Sequence, residues 1–519
     1  MSVGTAVTGF ARRPARPVAA RAASVSAPVV MAVATLTLLA AVLRFYRLGH
    51  QGFWFDEANT VLLVHLSPGK MLGLIPQSES TPPLYYCIAW VWARIFGYGE
   101  VGLRSLSALA GVLVVPVAYG AGARLISVRA GVIAAALAAF NPLLIWYSQE
   151  ARSYELLVLF SGLSLLTFAV LLKRPEGRAA AAWVIASALA LATHYYAVLI
   201  VIPEAVWLLV VHRRRRPVQV GIALVALCGL ALIPLALSQN GTGNSSWIHH
   251  AALARRLKEI VPQFVIGFGS PGYGVLEPLA VALAVFGLLL LFTRSERFER
   301  RGALLAGAIA LSGLILNLLL VAVGIDDLLT RNVLALWMPA ALVLSGGFAA
   351  SRARLVGGLA AGALCLIGIV AAVGVARDRN LQRPDWRPVA RLLGPRPASG
   401  QRLILVQHYR DLLPLSLSVP DLKFMRGSGA KVSEVDVISF TSPPSAGFCW
   451  WGSACNLWPS QMQASYALSG FTPVSRATAN QFTVLRLRAK DGPRFVSAGA
   501  VAHALRTTRF QNDELLIQR

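Results

Sequence analysis

Long apolar segments, separated by short polar connections, occupy most of the first 376 residues of this 519-residue chain. An α-helix needs about 20 predominantly apolar residues to cross a bilayer. The pattern accommodates about 11 such segments, and it therefore predicts an α-helical polytopic membrane protein. Their approximate bounds are residues 28–43, 102–122, 130–147, 154–172, 179–194, 197–211, 218–237, 275–293, 303–323, 333–350 and 355–376.

Two further apolar stretches are not expected to cross the bilayer. Residues 84–97 are too short for a span, follow the pair Pro82-Pro83 and contain two tryptophans, which favour the interface. In the loop 239–273, apolar residues between positions 253 and 264 recur at near-helical spacing beside basic residues. That stretch fits an amphipathic interfacial helix, but a solvated basic face explains the same pattern more simply.

The placement of basic residues predicts the topology. The net charge is +25, but Lys and Arg cluster in short runs between apolar segments, as at residues 213–216. If residues 84–97 do not cross, every such cluster falls on one side, which the positive-inside rule makes cytoplasmic. We therefore expect a protein of the plasma (inner) membrane with a cytoplasmic N-terminus, and the pattern argues against a nucleic-acid partner.

Composition divides the chain into three parts. Residues 1–26 are rich in Ala, Arg, Pro and Ser, and they predict a disordered cytoplasmic tail. Residues 27–376 form the predicted transmembrane domain, whose first outer loop spans residues 48–101. Residues 377–519 carry short β-type runs between Pro, Gly and Ser, and they predict a small extracytoplasmic α/β domain.

Unusual polar residues converge on the side of the membrane opposite the basic clusters. The adjacent carboxylates Asp56 and Glu57 follow the first apolar segment and lie among aromatic residues. Glu150 and Arg152 follow the third segment, and His194 ends the fifth. Any loop carries some acid, but that explanation accounts poorly for a carboxylate pair in an aromatic setting. Ionisable residues close to the membrane are costly, so these residues predict a functional site.

These residue types suit the transfer of a group from a lipid phosphate. A carboxylate such as Asp56 acts as a general base on an acceptor hydroxyl or amine, if its pKa suits the task. A second carboxylate would either orient the base or hold a divalent cation, and the residues leave both open. Arg152 or Arg331 would neutralise a leaving phosphate through a charge-assisted fork. An apolar groove open to the bilayer would hold the lipid tail.

Three motifs in order carry a resemblance to a known family. They are Trp-Phe-Asp-Glu-Ala at 54–58, Thr-Pro-Pro-Leu-Tyr-Tyr at 81–86 and Trp-Tyr-Ser-Gln-Glu-Ala-Arg-Ser-Tyr at 146–154. Over about residues 30–350 the chain resembles the polyprenyl-phosphate-sugar-dependent glycosyltransferases of the GT-C fold. Within them it is most similar to the branch that contains protein O-mannosyltransferases and the aminoarabinose transferase acting on lipid A.

The resemblance implies an inverting sugar transfer from a dolichyl- or undecaprenyl-phosphate sugar. Asp56 would match the family's catalytic carboxylate, and Glu57 would match its partner. The residues implied in substrate binding are Glu150, Arg152, Tyr154, His194, Tyr195 and Arg331. Many relatives have His where this chain has Thr81, and a metal-binding role of that His would be absent here. A divalent metal ion therefore remains an open expectation.

Other functions and substrates stay open at this point. A non-catalytic flippase or transporter of lipid-linked sugars would place its ionisable residues near the bilayer midplane, on broken helices of related halves. Here they cluster at one face and no half-repeat is visible, which favours the enzyme. A scaffold acting through its C-terminal domain would leave the carboxylate pair unexplained. The sugar is left open between hexoses such as mannose and pentoses, and the acceptor between protein, glycolipid and polysaccharide.

Overall fold

The protein is described here by a computed structural model that covers residues 26–406, 412–425, 429–440, 462, 466–504 and 514–518. The tail predicted over residues 1–26 lies outside these ranges except for its last residue. Within them, helices fill the chain up to Arg377, and a sheet with short helices follows.

Sixteen α-helices lie between Ala27 and Arg377, where every residue is described, and each predicted span coincides with one of them or with a bent pair. They are α1 (Ala27–Phe45), α2 (Phe55–His65), α3 (Pro68–Ser78), α4 (Leu84–Phe96), α5 (Glu100–Leu125), α6 (Val128–Phe140), α7 (Pro142–Ser148), α8 (Tyr154–Lys173), α9 (Gly177–Thr193), α10 (Val198–His212), α11 (Arg216–Asn240), α12 (Leu253–Ile266), α13 (Tyr273–Thr293), α14 (Arg297–Ala322), α15 (Trp337–Phe348) and α16 (Arg354–Arg377). Short 3₁₀ turns lie at Tyr195–Ala197, Ile248–His250, Thr330–Leu336, Ser351–Ala353 and Arg379–Leu381.

The protein is a multi-pass membrane protein. In the described part of the chain, nine helices are long and apolar enough to cross a bilayer, and the bent pair α6–α7 makes ten. Helix α9 is apolar but has 17 residues, slightly under the usual span length. Helix α4, with 13 residues, is too short to cross, in line with the surface location predicted for it. The fold class predicted from the sequence is confirmed, with the number of spans approximate.

The bend between α6 and α7 has a local cause and shapes the site. The axis of the chain bends by 56° between the two helices. Pro142 lacks a backbone N–H and cannot continue the hydrogen bonding of α6. Asn141 instead caps α7, where its Oδ1 accepts a hydrogen bond from the Leu144 N–H at 3.1 Å. The bend ends the apolar run early, and the loop after α7 carries Glu150 and Arg152.

Helix α12 is the amphipathic helix that fitted the spacing between the spans. One edge is buried through Arg256, Ile260, Gln263 and Ile266, while Val261 is exposed. The Arg256 guanidinium forms a fork with Asp326 at 2.6 and 2.8 Å. It also donates to the backbone carbonyl of Leu328 at 3.1 Å. This helix is therefore fixed to the segment that leads to α15.

The C-terminal part forms a mixed sheet flanked by helices. Its strands are β1 (Gln401–Val406), β2 (Leu422–Phe424), β3 (Gly429–Phe440), β4 (Phe471–Ala479), β5 (Phe482–Ala489), β6 (Arg494–Ser497) and β7 (Glu514–Gln518). Their order is β2-β7-β1-β3-β5-β4, with β6 also pairing with β3. Strands β1 and β3 run parallel, and the other pairs are antiparallel. The flanking helices are α17 (Arg387–Leu393), α18 (Leu412–Ser416) and α19 (Ala498–Ala504).

Both faces of this sheet are covered. Along β1, Leu403 and Leu405 enter one apolar cluster, while Ile404 and Val406 enter the other. This alternation follows from the two-residue period of a strand. Helix α17 packs on the second face, and α18 contacts α2 of the membrane domain. The sheet domain is thereby held next to the loop that carries Asp56.

Candidate functional site

Asp56 lies in the first turn of α2, where the helix dipole favours negative charge. Its side chain is 22% exposed, and its Oδ2 lies 3.5 Å from Nη1 of Arg331. The backbone carbonyl of Asp56 accepts a hydrogen bond from Nη1 of Arg152 at 3.2 Å. The backbone of Asp56 is therefore fixed, while its carboxylate stays partly open to an incoming group.

Glu57, the neighbouring carboxylate, is fully buried and fully engaged. The Arg104 guanidinium donates to both of its oxygens, through Nε to Oε1 at 2.7 Å and through Nη2 to Oε2 at 2.6 Å. The Ala151 N–H donates to Oε1 at 2.8 Å, and the Trp54 N–H donates to Oε2 at 3.4 Å. Burial opposes ionisation, but Arg104 holds the pKa of Glu57 below its usual value. Glu57 is thus an ionised carboxylate that joins three segments of the chain.

Arg104 also closes the loop that precedes Asp56. It donates to the backbone carbonyls of Leu48 at 3.1 Å, Gln51 at 2.7 Å and Gly52 at 2.9 Å. The loop passes close to the C-terminal part of the chain at Gly52, where an added Cβ would lie 2.5 Å from Oδ1 of Asp385. A larger residue at Gly52 would therefore displace the Asp385 side chain.

Arg152 is paired with a carboxylate that the sequence motifs did not include. Its Nη2 lies 2.9 Å from Oε2 of Glu79, and its Nη1 donates to Oε1 of Glu79 at 3.0 Å. Asn59 also donates to that Oε1, at 2.7 Å. Both charged side chains are buried. The charge of Arg152 is therefore neutralised inside the protein, and its contact with the Asp56 carbonyl positions α2.

Glu150 is buried beside an arginine from the segment after α16. Its Oε2 accepts a hydrogen bond from Nη2 of Arg383 at 2.6 Å, while Oε1 has no partner among the described residues. Burial raises the pKa of Glu150 to about 7, although Arg383 acts in the opposite direction. The Arg383 guanidinium also lies 4.1 Å from the ring centre of Trp146. Glu150 therefore changes its charge near neutral pH at a contact between the membrane domain and the C-terminal part.

An aromatic wall lies beside Arg331. The guanidinium of Arg331 is 5.9 Å from the ring centre of Tyr154 and 5.5 Å from that of Trp247, within cation–π range. The Tyr154 ring contacts Tyr147 at 4.9 Å and His194 at 5.8 Å between centroids. Rings and a cation in this arrangement can hold a sugar and its phosphate.

His194 is neutral in this setting. Burial, together with the charges of Arg331 and Arg152, lowers the pKa of His194 to about 3. Its Nδ1 accepts a hydrogen bond from the Tyr196 N–H at 3.3 Å, which leaves the proton on Nε2. The imidazole can therefore donate a hydrogen bond to a substrate, but it does not carry a charge at neutral pH.

Arg331 is held in place by its neighbours on the Thr330–Leu336 turn. Asp327 accepts a hydrogen bond from the Tyr196 hydroxyl at 3.1 Å, and its carbonyl accepts one from Asn332 at 2.6 Å. The fork between Arg256 and Asp326 fixes the same segment from the side of α12. These contacts explain the polar cluster that follows α14, and they orient Arg331 toward Asp56.

An apolar cavity of about 520 Å³ begins close to this turn. Helices α6, α12, α13, α14, α15 and α16 line it, and Val333, two residues after Arg331, belongs to its wall. Asn141 is among the few polar groups that face it. The cavity has the volume and the lining of a site for an apolar chain.

The structure brings together seven of the eight residues that the sequence singled out. These are Asp56, Glu57, Glu150, Arg152, Tyr154, His194 and Arg331. Tyr195 instead donates its hydroxyl to Gln239 of α11 at 2.7 Å. Sequence reasoning missed the partner residues Glu79, Arg104 and Arg383. Arg104 carried a signal, because it is a charged residue inside the predicted span 102–122.

A metal site is not evident in the described part of the chain, where no group of three or more His, Cys, Asp or Glu side chains is spaced to hold an ion. The position of the family's histidine is held by Thr81, whose hydroxyl lies 3.2 Å from that of Tyr86. The expectation of a divalent metal therefore gains no ligand set among these residues.

Sequence comparison gives one match to a protein family. Residues 80–237 match the family described as dolichyl-phosphate-mannose-protein mannosyltransferase. This region includes Thr81, Glu150, Arg152 and His194, but not Asp56 or Arg331. No curated protein matches the sequence.

Structural comparison finds similar chains of low sequence identity. The apo crystal structure of ArnT from Cupriavidus metallidurans superposes with a TM-score of 0.55 at 15% identity, covering 88% of this chain and 98% of that one. The same protein bound to undecaprenyl phosphate gives a TM-score of 0.49 at 14% identity, over 88% and 97% of the two chains. An oligosaccharyltransferase from Archaeoglobus fulgidus, in complex with Zn and sulfate, gives 0.43 at 15% identity, over 70% and 55%. The first of these superpositions, at 15% identity, shows a shared fold.

Proposed function

We infer that this chain, which has the GT-C glycosyltransferase fold, transfers a sugar from a polyprenyl-phosphate donor to an acceptor hydroxyl or amine. The description of the matched family names a dolichyl-phosphate mannose donor, which supports this class of donor. A hexose such as mannose or a pentose fits the proposal equally. The acceptor is a protein, a glycolipid or a polysaccharide.

The observation that carries the proposal is the contrast between Asp56 and the other carboxylates around it. Glu57, Glu79 and Glu150 are at most 2% exposed, and each lies within 2.6–2.9 Å of a buried arginine nitrogen. Asp56 is 22% exposed, and its nearest basic group among the described residues is Arg331 at 3.5 Å. Among these four carboxylates, Asp56 is thus the one whose oxygens an incoming acceptor group can reach.

The reaction then follows from the two facing groups. Asp56 takes the proton of the acceptor group while the acceptor oxygen or nitrogen attacks the anomeric carbon of the donor. The bond from that carbon to the phosphate oxygen breaks, and the electron pair leaves with the lipid phosphate. Arg331 balances the charge that develops on this phosphate. Attack opposite the leaving group inverts the anomeric configuration.

The apolar cavity provides a place for the lipid chain of the donor. It is walled by helices of the membrane domain, and Val333 brings it within two residues of Arg331. A polyprenyl tail in this cavity would therefore leave its phosphate near the Arg331 guanidinium. The apolar groove expected from the sequence is assigned to this cavity.

The remaining predicted residues have supporting roles in this proposal. Glu57, placed by the sequence motifs next to the base, acts as a positioning residue because Arg104 and two backbone N–H groups occupy its oxygens. Arg152 positions α2 through the Asp56 carbonyl. Tyr154 and His194 line the sugar subsite beside Arg331. No step in this proposal passes through a metal ion.

The orientation in the membrane is also part of the proposal. Clusters such as residues 213–216 lie at the opposite ends of the spans from Asp56, so the positive-inside rule makes the Asp56 end extracytoplasmic. The sheet domain lies at that same end. We therefore assign the reaction to the outer face of the plasma (inner) membrane.

The test is turnover of radiolabelled polyprenyl-phosphate sugars by the purified full-length protein in detergent, with a membrane extract supplied as acceptor. Wild type and Asp56→Asn are compared over a panel of sugars. We expect label to leave the lipid with one sugar, and the rate to fall by about 10²–10⁴-fold in Asp56→Asn, the usual contribution of a general base. Asp491→Asn, an exposed aspartate of the sheet domain, is the matched control and keeps the wild-type rate.

Two results would contradict this function. Equal turnover by wild type and Asp56→Asn would remove Asp56 from the role of base. Retention of label on the lipid by both proteins, across the whole panel, would favour a carrier of lipid-linked sugars, which reconstitution in vesicles would then detect as movement of label across the bilayer.

A further inference from the structure

A polar pocket of about 530 Å³ lies between the amphipathic helix α12 and the first turns of α13. The loop 267–272, which joins these two helices, forms part of its lining, and Leu381 from the turn after α16 completes it. The polar side chains of this pocket take no part in the proposed sugar transfer. Their arrangement therefore points to a separate ligand.

Two almost completely buried side chains in the lining have oxygen atoms without a partner. Gln263 is 4% exposed and Ser270 is 6% exposed. Neither Oε1 of Gln263 nor Oγ of Ser270 has a hydrogen-bond partner among the described residues. Free energy of folding is lost when a buried polar atom has no partner. The two oxygens therefore favour a ligand that donates hydrogen bonds to them.

Two carboxylates belong to the same lining, Glu259 and Glu277. Glu259 is paired with Arg255 at 2.9 Å. Glu277 is half-buried, and it forms no ion pair with any basic residue that the structure describes. An unpaired carboxylate close to two acceptor oxygens suits a cationic group with several N–H donors, and a primary ammonium carries three of them.

Lys258 provides the opposite charge at the rim of the pocket. Its side chain is exposed, and no carboxylate in the described part of the chain forms an ion pair with it. Its ammonium group can therefore pair with an anion such as a phosphate. The pocket thus offers one group for an anion and another for a cation, which matches a zwitterionic ligand.

Apolar surface continues from the pocket along two of its walls. On α13, Glu277 lines the pocket, while Val281 and Val285 line the apolar cavity, and a spacing of four places these residues on one side of the helix. On α12, Val261 follows Lys258 by one turn, lines the apolar cavity and is 58% exposed. An amphipathic helix such as α12 lies at the membrane surface. The pocket therefore opens where the headgroups and chains of bilayer lipids meet.

We propose that the polar pocket binds the headgroup of a bilayer phospholipid that carries a primary ammonium, the class of phosphatidylethanolamine. The ammonium donates hydrogen bonds to Glu277, Gln263 and Ser270. The phosphate pairs with Lys258, and the acyl chains lie against the apolar surface beside Val261. The volume lies within the range of ligand pockets, about 300–1,000 Å³. This binding site does not depend on the proposed sugar transfer.

The test is lipid binding by the purified full-length protein in detergent, measured as the rise in apparent Tm with lipid concentration. The probes are dihexanoyl phosphatidylethanolamine, phosphatidylcholine and phosphatidylglycerol with the same chains, and phosphoethanolamine as the free headgroup. Phosphatidylcholine keeps both charges but has no N–H donor, and phosphatidylglycerol has no cation. We expect phosphatidylethanolamine to bind at least about tenfold more tightly than the other three, since a hydrogen bond to a charged group contributes roughly a factor of ten.

Variants of the lining identify the pocket as the site. Glu277→Gln and Gln263→Leu should each weaken the binding of phosphatidylethanolamine by about tenfold or more. Gln263→Leu should leave the Tm of the lipid-free protein unchanged or higher, because the oxygen that it removes has no partner among the described residues. The matched control is Glu176→Gln, which makes the same change as Glu277→Gln at an exposed position at the start of α9, away from the pocket.

Four results would overturn the proposal. Equal affinities for phosphatidylethanolamine and phosphatidylcholine would remove the role of the ammonium. Undiminished binding by Glu277→Gln and Gln263→Leu would exclude the pocket as the site, and an equal loss of binding in Glu176→Gln would reduce the effect to general charge. Binding of phosphoethanolamine as tight as that of the lipid would assign the pocket to a free phosphorylated amine instead.

The pocket also adjoins the aromatic wall of the proposed active site. Phe268 lines the pocket, and its ring lies 5.9 Å from that of Trp146 and 5.8 Å from that of Tyr147, between centroids. Tyr147 in turn contacts Tyr154. A headgroup that fixes the loop 267–272 therefore supports the sugar subsite, an effect that rests on the proposed function.

This connection predicts faster sugar transfer in vesicles of phosphatidylethanolamine and phosphatidylglycerol than in vesicles where phosphatidylcholine replaces phosphatidylethanolamine. Glu277→Gln should remove the difference, and Glu176→Gln should keep it. Equal rates in both vesicles, with lipid binding intact, would leave the lipid site standing and overturn its connection to the sugar subsite. Lipid binding without sugar transfer in either vesicle would overturn the proposed function alone.

Discussion

The carboxylate of Glu57 and the guanidinium of Arg104 form two parallel hydrogen bonds of 2.7 and 2.6 Å inside the protein. The two residues are 47 positions apart, one at the start of α2 and the other in the first turns of α5. Both are almost completely buried. Because the pair also holds the carbonyls before α2 and the Ala151 N–H, it sets where Asp56 lies relative to the loop of Glu150.

The first prediction concerns this pair. Glu57→Gln leaves the Arg104 charge buried without a partner, so we expect a loss of about 3–5 kcal/mol in the free energy of unfolding. Arg104→Gln should have a similar cost. The double variant should lose much less than the sum, because the two residues contact each other directly. Denaturation of all four proteins in detergent measures the coupling.

The kcat values of the variants distinguish a positioning role of Glu57 from a direct chemical role. If Glu57 positions α2, Glu57→Gln should lower kcat by less than Asp56→Asn does. Arg104→Gln should then lower kcat by about as much as Glu57→Gln. A kcat for Glu57→Gln as low as that of Asp56→Asn, with Arg104→Gln close to wild type, would assign the chemistry to Glu57 instead.

The second prediction concerns Arg331. Arg331→Lys keeps the positive charge but loses the planar fork that matches a phosphate. We expect kcat/KM for the lipid donor to fall by roughly 10- to 100-fold, equivalent to about 1.5–3 kcal/mol for a charged hydrogen bond. Steady-state kinetics over donor concentration measures this. Arg255→Lys, an exposed arginine on α12, serves as the control, and a comparable loss there would argue against a specific role of Arg331.

The third prediction concerns the pair of Arg152 with Glu79. Glu79→Gln leaves a buried guanidinium without its anion, and we expect a loss of about 3–5 kcal/mol in stability. Asn59→Ala removes one hydrogen bond to the same Glu79 oxygen and should cost about 1 kcal/mol. Thermal unfolding of the two variants beside wild type tests this difference. Equal stabilities would show that Glu79 does not compensate Arg152 in solution.

The fourth prediction is a pH dependence that arises from Glu150. Burial raises the pKa of Glu150 from 4.5 to about 7 in the folded protein. Between these values the folded protein binds more protons at this site than the unfolded chain, so this contribution to stability decreases as the pH rises. It is fully present below about pH 4.5 and lost by about pH 7, with a magnitude of order 3 kcal/mol.

Glu150→Gln supplies the reference for that measurement, since Gln does not titrate. As the pH rises from about 4.5 to 7, the apparent Tm of wild type should fall relative to that of Glu150→Gln. Above this range the difference between the two Tm values should stay constant. A constant difference would contradict the raised pKa. A change in the opposite direction would mean that Arg383 outweighs burial and holds the Glu150 pKa below its usual value.

The sequence predicted the membrane domain well because apolar length is a local property. Every predicted span coincides with a helix or the bent pair, since a segment of about 20 apolar residues has few alternatives in a bilayer. The surface helix at 84–97 was also readable from its length, and the spacing near 253–264 fitted the amphipathic helix. The bend between α6 and α7 was not predicted, although Asn141-Pro142 is a typical start of a new helix.

The sequence predicted the residues of the candidate site but not their contacts. The sequence predicted Asp56 as the base and Glu57 as its partner, but it did not show what each side chain contacts, because successive residues of a helix point in different directions. Asp56 therefore faces Arg331, while Glu57 faces Arg104 on α5. Arg152 was expected to meet phosphate, and the structure pairs it with Glu79 instead. Those partners lie tens of residues away, where spacing along the chain carries no information.

By itself, the sequence determined the membrane-spanning character of the chain, and it predicted the polar residues of the candidate site. Hydrophobicity and charge act locally and can be read in order along the chain. Only the tertiary structure decided which carboxylate stays open and which arginine faces it. Burial and ion pairing depend on contacts between distant segments, and those contacts exist only once the helices and the sheet have packed.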